Sequence, residues 1–134
     1  MEYLIGVVLA LAVGVFTTFL GMDRDRALYP TALIVIAVLY ALFAVIGGSR
    51  QALIMESVAA VLFIALAVAG FKRSLWLAVI GLVGHGVFDL FHGLFIENPG
   101  VPVWWPMFCF AYDVTAGAFL AWLLWSNRVR VAPA

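Results

Sequence analysis

Five apolar stretches follow one another with almost nothing between them: roughly residues 3–22, 30–47, 52–70, 75–96 and 102–125. Each approaches the length of about 20 residues that a helix needs to cross the hydrocarbon core of a bilayer. In lipid a segment has to satisfy its own backbone hydrogen bonds, so runs of this kind fold as helices. The separators are short, MDRDRALYP, GGSRQ, FKRS and ENPGVP, and leave no room for a second domain. The sequence therefore reads as one domain, residues 1–134, all-α, a five-helix transmembrane bundle. Composition agrees: 67% of the residues are hydrophobic and 10% charged, more apolar surface than a soluble chain of 134 residues can hide. Pro30 suits a first helical turn, where its missing N–H would have no partner anyway, and Pro99 and Pro102 bracket a tight turn.

Charge placement predicts which way the bundle faces. Arg24 and Arg26 lie in the first loop, Lys72 and Arg73 in the third, and Arg128 and Arg130 after the last span, all on one side. The other side has Arg50 alone among the basic side chains. Lys and Arg accumulate on cytoplasmic loops, so the expectation is N-terminus outside and C-terminus cytoplasmic. Tyr3, Trp104 and Trp105 would then mark the outer interface, and Tyr29, Trp76, Trp122 and Trp125 the inner one. The start, MEYLIGVVLALAVGVF, lacks a basic leader and a small-x-small cleavage site, and reads as a retained span.

Against this background the stretch GLVGHGVFDLFHGLF, residues 81–95, stands apart. His85, Asp89 and His92 follow i, i+4, i+7 spacing and share one helix face. An ionisable group at bilayer depth costs a few kcal/mol or more unless it is paired or hydrated, so each needs a partner at its own depth. At about 1.5 Å per residue, His85 and Asp113 fall near the midplane. Asp89 lies roughly 5 Å toward the outside, Glu56 roughly 7 Å and His92 about 10 Å. These five residues come from three consecutive antiparallel helices, which predicts one polar pocket in the outer half.

Three chemistries suit such a set. Asp89 and His92, joined by Glu56 or Asp113, could ligate a divalent ion such as zinc or iron, because mixed His and carboxylate ligation with an open position is a catalytic pattern. Without a metal, buried His–carboxylate pairs exchange protons: Asp89 and Glu56 as donor or acceptor, His92 as base, His85 paired to Asp113. The third reading is a hydrogen-bond network that fixes helix packing. The first two imply a site that binds a small lipophilic or amphipathic molecule reached from the bilayer. A proton- or cation-coupled transporter or channel is the alternative. It is disfavoured because the inner halves of the spans contain little beyond Thr17, Thr18 and Ser74, and because no inverted repeat is visible.

The remaining features weigh less. Cys109, the one cysteine, excludes an internal disulfide framework and reads as a packing residue or a soft ligand. Tyr40 and Tyr112 offer hydroxyls to the network or pack. The DRDR loop reads as a self-neutralising solvated turn, with an anionic headgroup on Arg24 and Arg26 as the alternative. Gly6, Gly14 and Gly21 form a stripe suited to packing or to a homo-oligomer. Zero formal net charge offers no footprint for nucleic acid.

Several of these residues together resemble a family of small bacterial integral-membrane proteins of unassigned function. They are Asp-Arg ahead of a Tyr29-Pro30 helix start, Glu56, His85-Gly86-x-x-Asp89-x-x-His92, and Trp105-Pro106-x-x-Cys109-x-x-x-Asp113. The resemblance covers nearly the whole chain and implies a multi-pass protein of the cell inner membrane, with no activity attached. A looser similarity is to small polytopic sterol-isomerase-like and sigma-two-receptor-like proteins, whose helix count and motif order differ.

Overall fold

A computed structural model describes residues 1–132. Among these, five α-helices follow in order: α1 Glu2–Leu20, α2 Leu28–Ile46, α3 Arg50–Lys72, α4 Trp76–Phe95 and α5 Trp105–Trp125. Each is long and apolar enough to cross a membrane. Helix ends differ from the apolar stretches where local chemistry intervenes. α3 begins two residues earlier than its apolar run because the Ser49 hydroxyl caps it, accepting from the Ala52 N–H at 3.1 Å. α5 starts at Trp105 rather than at Pro102, because the Trp105 N–H closes a turn on the Pro102 carbonyl at 3.0 Å. Gly21 ends α1 in the left-handed region at φ 76°, with its N–H and that of Met22 returned to the last turn.

The helices pack as the pairs α1–α5, α5–α4, α4–α3 and α3–α2, with α2 also leaning on α4. The inside is built from small residues. Ala37, Ala44, Ala52, Ala67 and Ala78 are buried, while Phe16, Phe19, Ile54, Val58, Val61 and Leu94 point outward. Lipid supplies no hydrophobic force between helices, so close backbone contact through small residues has to hold them together. The α1 glycines show this. A methyl on Gly6 would collide with the Phe108 carbonyl and one on Gly14 with the Phe119 ring, both on α5. Gly21 is a helix terminator. The stripe therefore builds an internal seam and a helix end, the packing role of the two that the sequence offered for it.

Loops close the two ends differently. At one end the α4–α5 turn folds over α2. The Asn98 amide donates to the Tyr40 carbonyl at 3.1 Å, and Gly100 packs so tightly on the Phe43 carbonyl that a side chain there would overlap it. The opposite end is tied by Arg26. Its guanidinium donates to the Gly70 and Phe71 carbonyls at 3.1 and 2.8 Å and also to the Arg130 carbonyl. The last carbonyls of a helix have no partner within it and carry partial negative charge, so a cation placed there both completes and stabilises the end of α3. The DRDR turn is thus not wholly solvated: Arg26 is buried at a left-handed φ of 73°, and Asp23 is buried accepting from the Thr18 hydroxyl at 2.6 Å. Arg24 and Asp25 stay exposed.

Candidate functional site

Glu56, His85, Asp89, His92 and Asp113 are all buried, none more than 3% exposed. The helical spacing that aligns His85, Asp89 and His92 along α4 places the first two opposite α5 and the third opposite α3. His85 Nδ1 lies 2.7 Å from Asp113 Oδ2 and 3.4 Å from Asp89 Oδ2. About two turns beyond His85, His92 Nε2 lies 2.7 Å from Glu56 Oε1. The five residues thus form two subsites, one on α4 and α5 near mid-helix, the other on α4 and α3 toward the Asn98 end.

Tyr40 of α2 joins them. Its hydroxyl donates to Asp89 Oδ1 at 2.7 Å, and its ring stacks on the His92 imidazole with centroids 4.2 Å apart. This is a network role, one of the two readings that the sequence left open for it. Its signal was visible: a tyrosine inside a span, away from either interface, has to place its hydroxyl on a partner within the protein. Asn98 is the residue that sequence reasoning missed. Its amide donates to Glu56 Oε1 at 2.8 Å, as well as to the Tyr40 carbonyl. In the sequence Asn-Pro-Gly signals only a turn, and the contact depends on how that turn folds back across α2 and α3. Tyr112 makes no hydrogen bond to the cluster and lies instead along the cavity described below.

Aromatic rings seal both imidazoles. Phe63 stands edge-on to His85 at 4.7 Å between centroids, and Phe88 stands edge-on to His92 at 5.5 Å. Despite this enclosure, one oxygen of each carboxylate is left over. Among the described residues, Glu56 Oε2, Asp89 Oδ2 and Asp113 Oδ1 are buried without a hydrogen-bond partner. An unsatisfied buried polar atom costs about 1–3 kcal/mol, and more when charged. Charge is also unbalanced, since three carboxylates face two imidazoles. Even with both imidazoles protonated, full ionisation would leave a negative charge without a counterion in a medium that penalises it strongly. The set is complete only with a further proton or a further cation.

Cys109 belongs to the same constellation, one turn before Asp113, with Sγ 3.7 Å from Asp113 Oδ2. Ligand atoms of His85, Asp89, Cys109 and Asp113 all lie within 4.8 Å of one another. Of the four metal donors expected from sequence, Asp89 and Asp113 are in this group, with Cys109, which the sequence offered as a soft ligand, whereas His92 and Glu56 are bonded to each other in the neighbouring subsite.

Cys109 is also where the cluster meets the outside. A cavity of about 400 Å³ runs between α1, α2 and α5, lined by apolar side chains including Leu9, Val35, Ile36 and Leu39, together with Trp105 and Cys109. It exists because α1 seats on α5 through its glycines and makes no comparable seam with α2. Comparison of the chain with protein-family models, with curated proteins and with solved structures returns no match, so the chemistry has to be argued from this geometry alone.

Proposed function

We propose that this multi-pass membrane protein binds a small lipophilic or amphipathic molecule, taken laterally from the bilayer, and moves protons on it with the buried His–carboxylate cluster. One observation carries the reading: the apolar cavity between α1, α2 and α5 reaches Cys109, whose sulfur touches Asp113 of the cluster. A volume of about 400 Å³ lies in the range of small-molecule sites, which combine apolar walls with a few polar groups. Trp105, which lines the cavity and whose indole N–H has no partner, is a donor for such a molecule.

The roles follow from the bonding. Asp113 fixes the ring of His85, and a neutral imidazole that donates from Nδ1 keeps its basic lone pair on Nε2. Asp89 holds one oxygen on Tyr40 and keeps the other free to take or give a proton. Glu56 and His92, bridged to Asp89 by Tyr40, form a second exchanging pair that restores the first. The basic residues Arg24, Lys72, Arg73, Arg128 and Arg130 gather at the Arg26 end and support an orientation with that end cytoplasmic, in the inner membrane.

The test is unbiased lipid and metabolite analysis of purified wild-type protein beside Ala32→Phe, which fills the cavity, and Asp89→Asn. The reading expects a copurifying lipophile in wild type, its loss in Ala32→Phe, and its retention in unprocessed form in Asp89→Asn. A wild-type cavity that yields no such molecule under any growth condition, with membranes indifferent to Asp89→Asn, would leave the cluster a packing network.

A further inference from the structure

The subsite on α4 and α5 has the composition of a metal centre. We propose that His85, Asp89, Cys109 and Asp113 bind one divalent transition-metal ion of the zinc class. This adds a ligand to the cluster on which the proton-handling reading rests, but its test needs no lipophile, so either can fail alone.

Three observations converge on it. Four donors of three chemical kinds, one imidazole nitrogen, one thiol sulfur and two carboxylates, lie within 4.8 Å of one another. Two carboxylate oxygens of this group, Asp89 Oδ2 and Asp113 Oδ1, are buried without a hydrogen bond, Asp89 Oδ2 having only the His85 imidazole 3.4 Å away. The outer oxygen of Asp89 is meanwhile held by the Tyr40 hydroxyl at 2.7 Å, the arrangement by which an outer hydrogen bond aims a carboxylate at an ion. A divalent ion offsets the charge of the two aspartates and leaves the site with the single negative charge of the thiolate.

Donor type selects the ion. Magnesium and calcium take oxygen ligands and have no use for a thiolate or an imidazole, whereas zinc accepts nitrogen, sulfur and oxygen in four-coordinate sites. Bonds of about 2.0–2.3 Å in a tetrahedron set the donors roughly 3.3–3.7 Å apart. His85 and Asp113 therefore have to part from their 2.7 Å hydrogen bond while the remaining donors draw in, a movement within reach of side-chain rotation. On binding, His85 moves its proton to Nε2, and Cys109 gives up its thiol proton, which is released. The complex then carries the same net charge as the common zinc sites of three cysteines and one histidine.

This set leaves out His92, which the sequence grouped with Asp89 and either Glu56 or Asp113, and the two groupings make opposite predictions for His92. Full-length protein, purified after growth with added zinc and assayed for metal by mass spectrometry, should contain about one zinc per chain. Cys109→Ser and Asp113→Asn should each lower zinc affinity at least about a hundredfold, since even outer partners of metal ligands are worth 10–100-fold. His92→Gln should leave stoichiometry unchanged. Cobalt(II) offers a readout on the wild-type chain that no folding defect can confuse. A sulfur-to-cobalt charge-transfer band, absent with magnesium, is expected because Cys109 is a ligand. Wild-type protein without stoichiometric zinc would overturn the proposal. So would a cobalt spectrum lacking that band, or zinc lost with His92→Gln and kept with Cys109→Ser.

Discussion

The two halves of this bundle are built on opposite rules. From mid-helix to the Asn98 end the interior holds His85, Asp89, Asp113, Glu56, His92 and Tyr40, each bonded across helices to another. From mid-helix to the Arg26 end the interior is Leu33, Ala67, Ala78, Leu82, Leu120 and Leu123, all fully buried. Among the described residues its buried hydroxyls are those of Thr17, which bonds back into its own helix, and of Tyr29, which has no hydrogen-bond partner. Charged groups return only in the loop, where Arg26 donates to main-chain carbonyls and Asp23 accepts from the Thr18 hydroxyl. A bundle that needed polarity for cohesion would distribute it, since small residues and shape hold the dry half together without any. Concentration at one end therefore speaks for a site, and the dry half speaks against a polar path across a single chain.

Substitutions that exchange the character of the halves test this contrast. Leu120→Asp puts a lone carboxylate into the dry half and loses a fully buried leucine. The expected cost is about 5 kcal/mol or more, enough to remove monodisperse protein in size-exclusion chromatography. Asp113→Ala takes one partner from the polar half and leaves His85 without its 2.7 Å bond. A loss of about 3–5 kcal/mol is expected, read as a lowered thermal midpoint in detergent. Replacing both members, His85→Leu with Asp113→Leu, should recover most of that loss, because an apolar pair of similar volume is often as stable as a buried ionic one. A double variant as unstable as the single one would make the cluster structural and weaken the contrast.

Smaller effects belong to the loops. Arg26→Ala frees three carbonyls at the end of α3 and after α5, and should cost about 1.5–3 kcal/mol, against less than about 0.5 kcal/mol for exposed Arg24→Ala. Asn98→Ala removes its bonds to Glu56 and to the Tyr40 carbonyl and the acceptor of the Gly100 N–H. About 1 kcal/mol is expected, with local opening at that end visible as faster amide exchange in the α4–α5 turn.

How much of this was legible in the chain depends on the distance over which each residue acts. The five helices are set by runs of apolar residues, a local property, so their number and approximate limits could be read directly. Shared depth brought His85 to Asp113 and His92 to Glu56, because at bilayer depth an ionisable side chain has few alternatives. The use of Gly6 and Gly14 could not be read, since a glycine stripe looks the same whether its neighbour is α5 or a second copy of the chain. Arg26 and Asn98 were hidden for a related reason. Each sits in a turn whose composition signals only a turn, and each reaches a partner more than forty residues away.

The Arg26 anchor has a consequence for how the molecule is made. Its bonds join a loop that follows the first helix to the end of the third and, across 104 positions, to a segment synthesised after the fifth. That same segment accepts the Leu75 N–H through the Val131 carbonyl. During synthesis the Gly70 and Phe71 carbonyls can reach Arg26 first, and its third bond waits until the residues after the fifth helix have been made. The clasp therefore closes in full only when all five helices are in place.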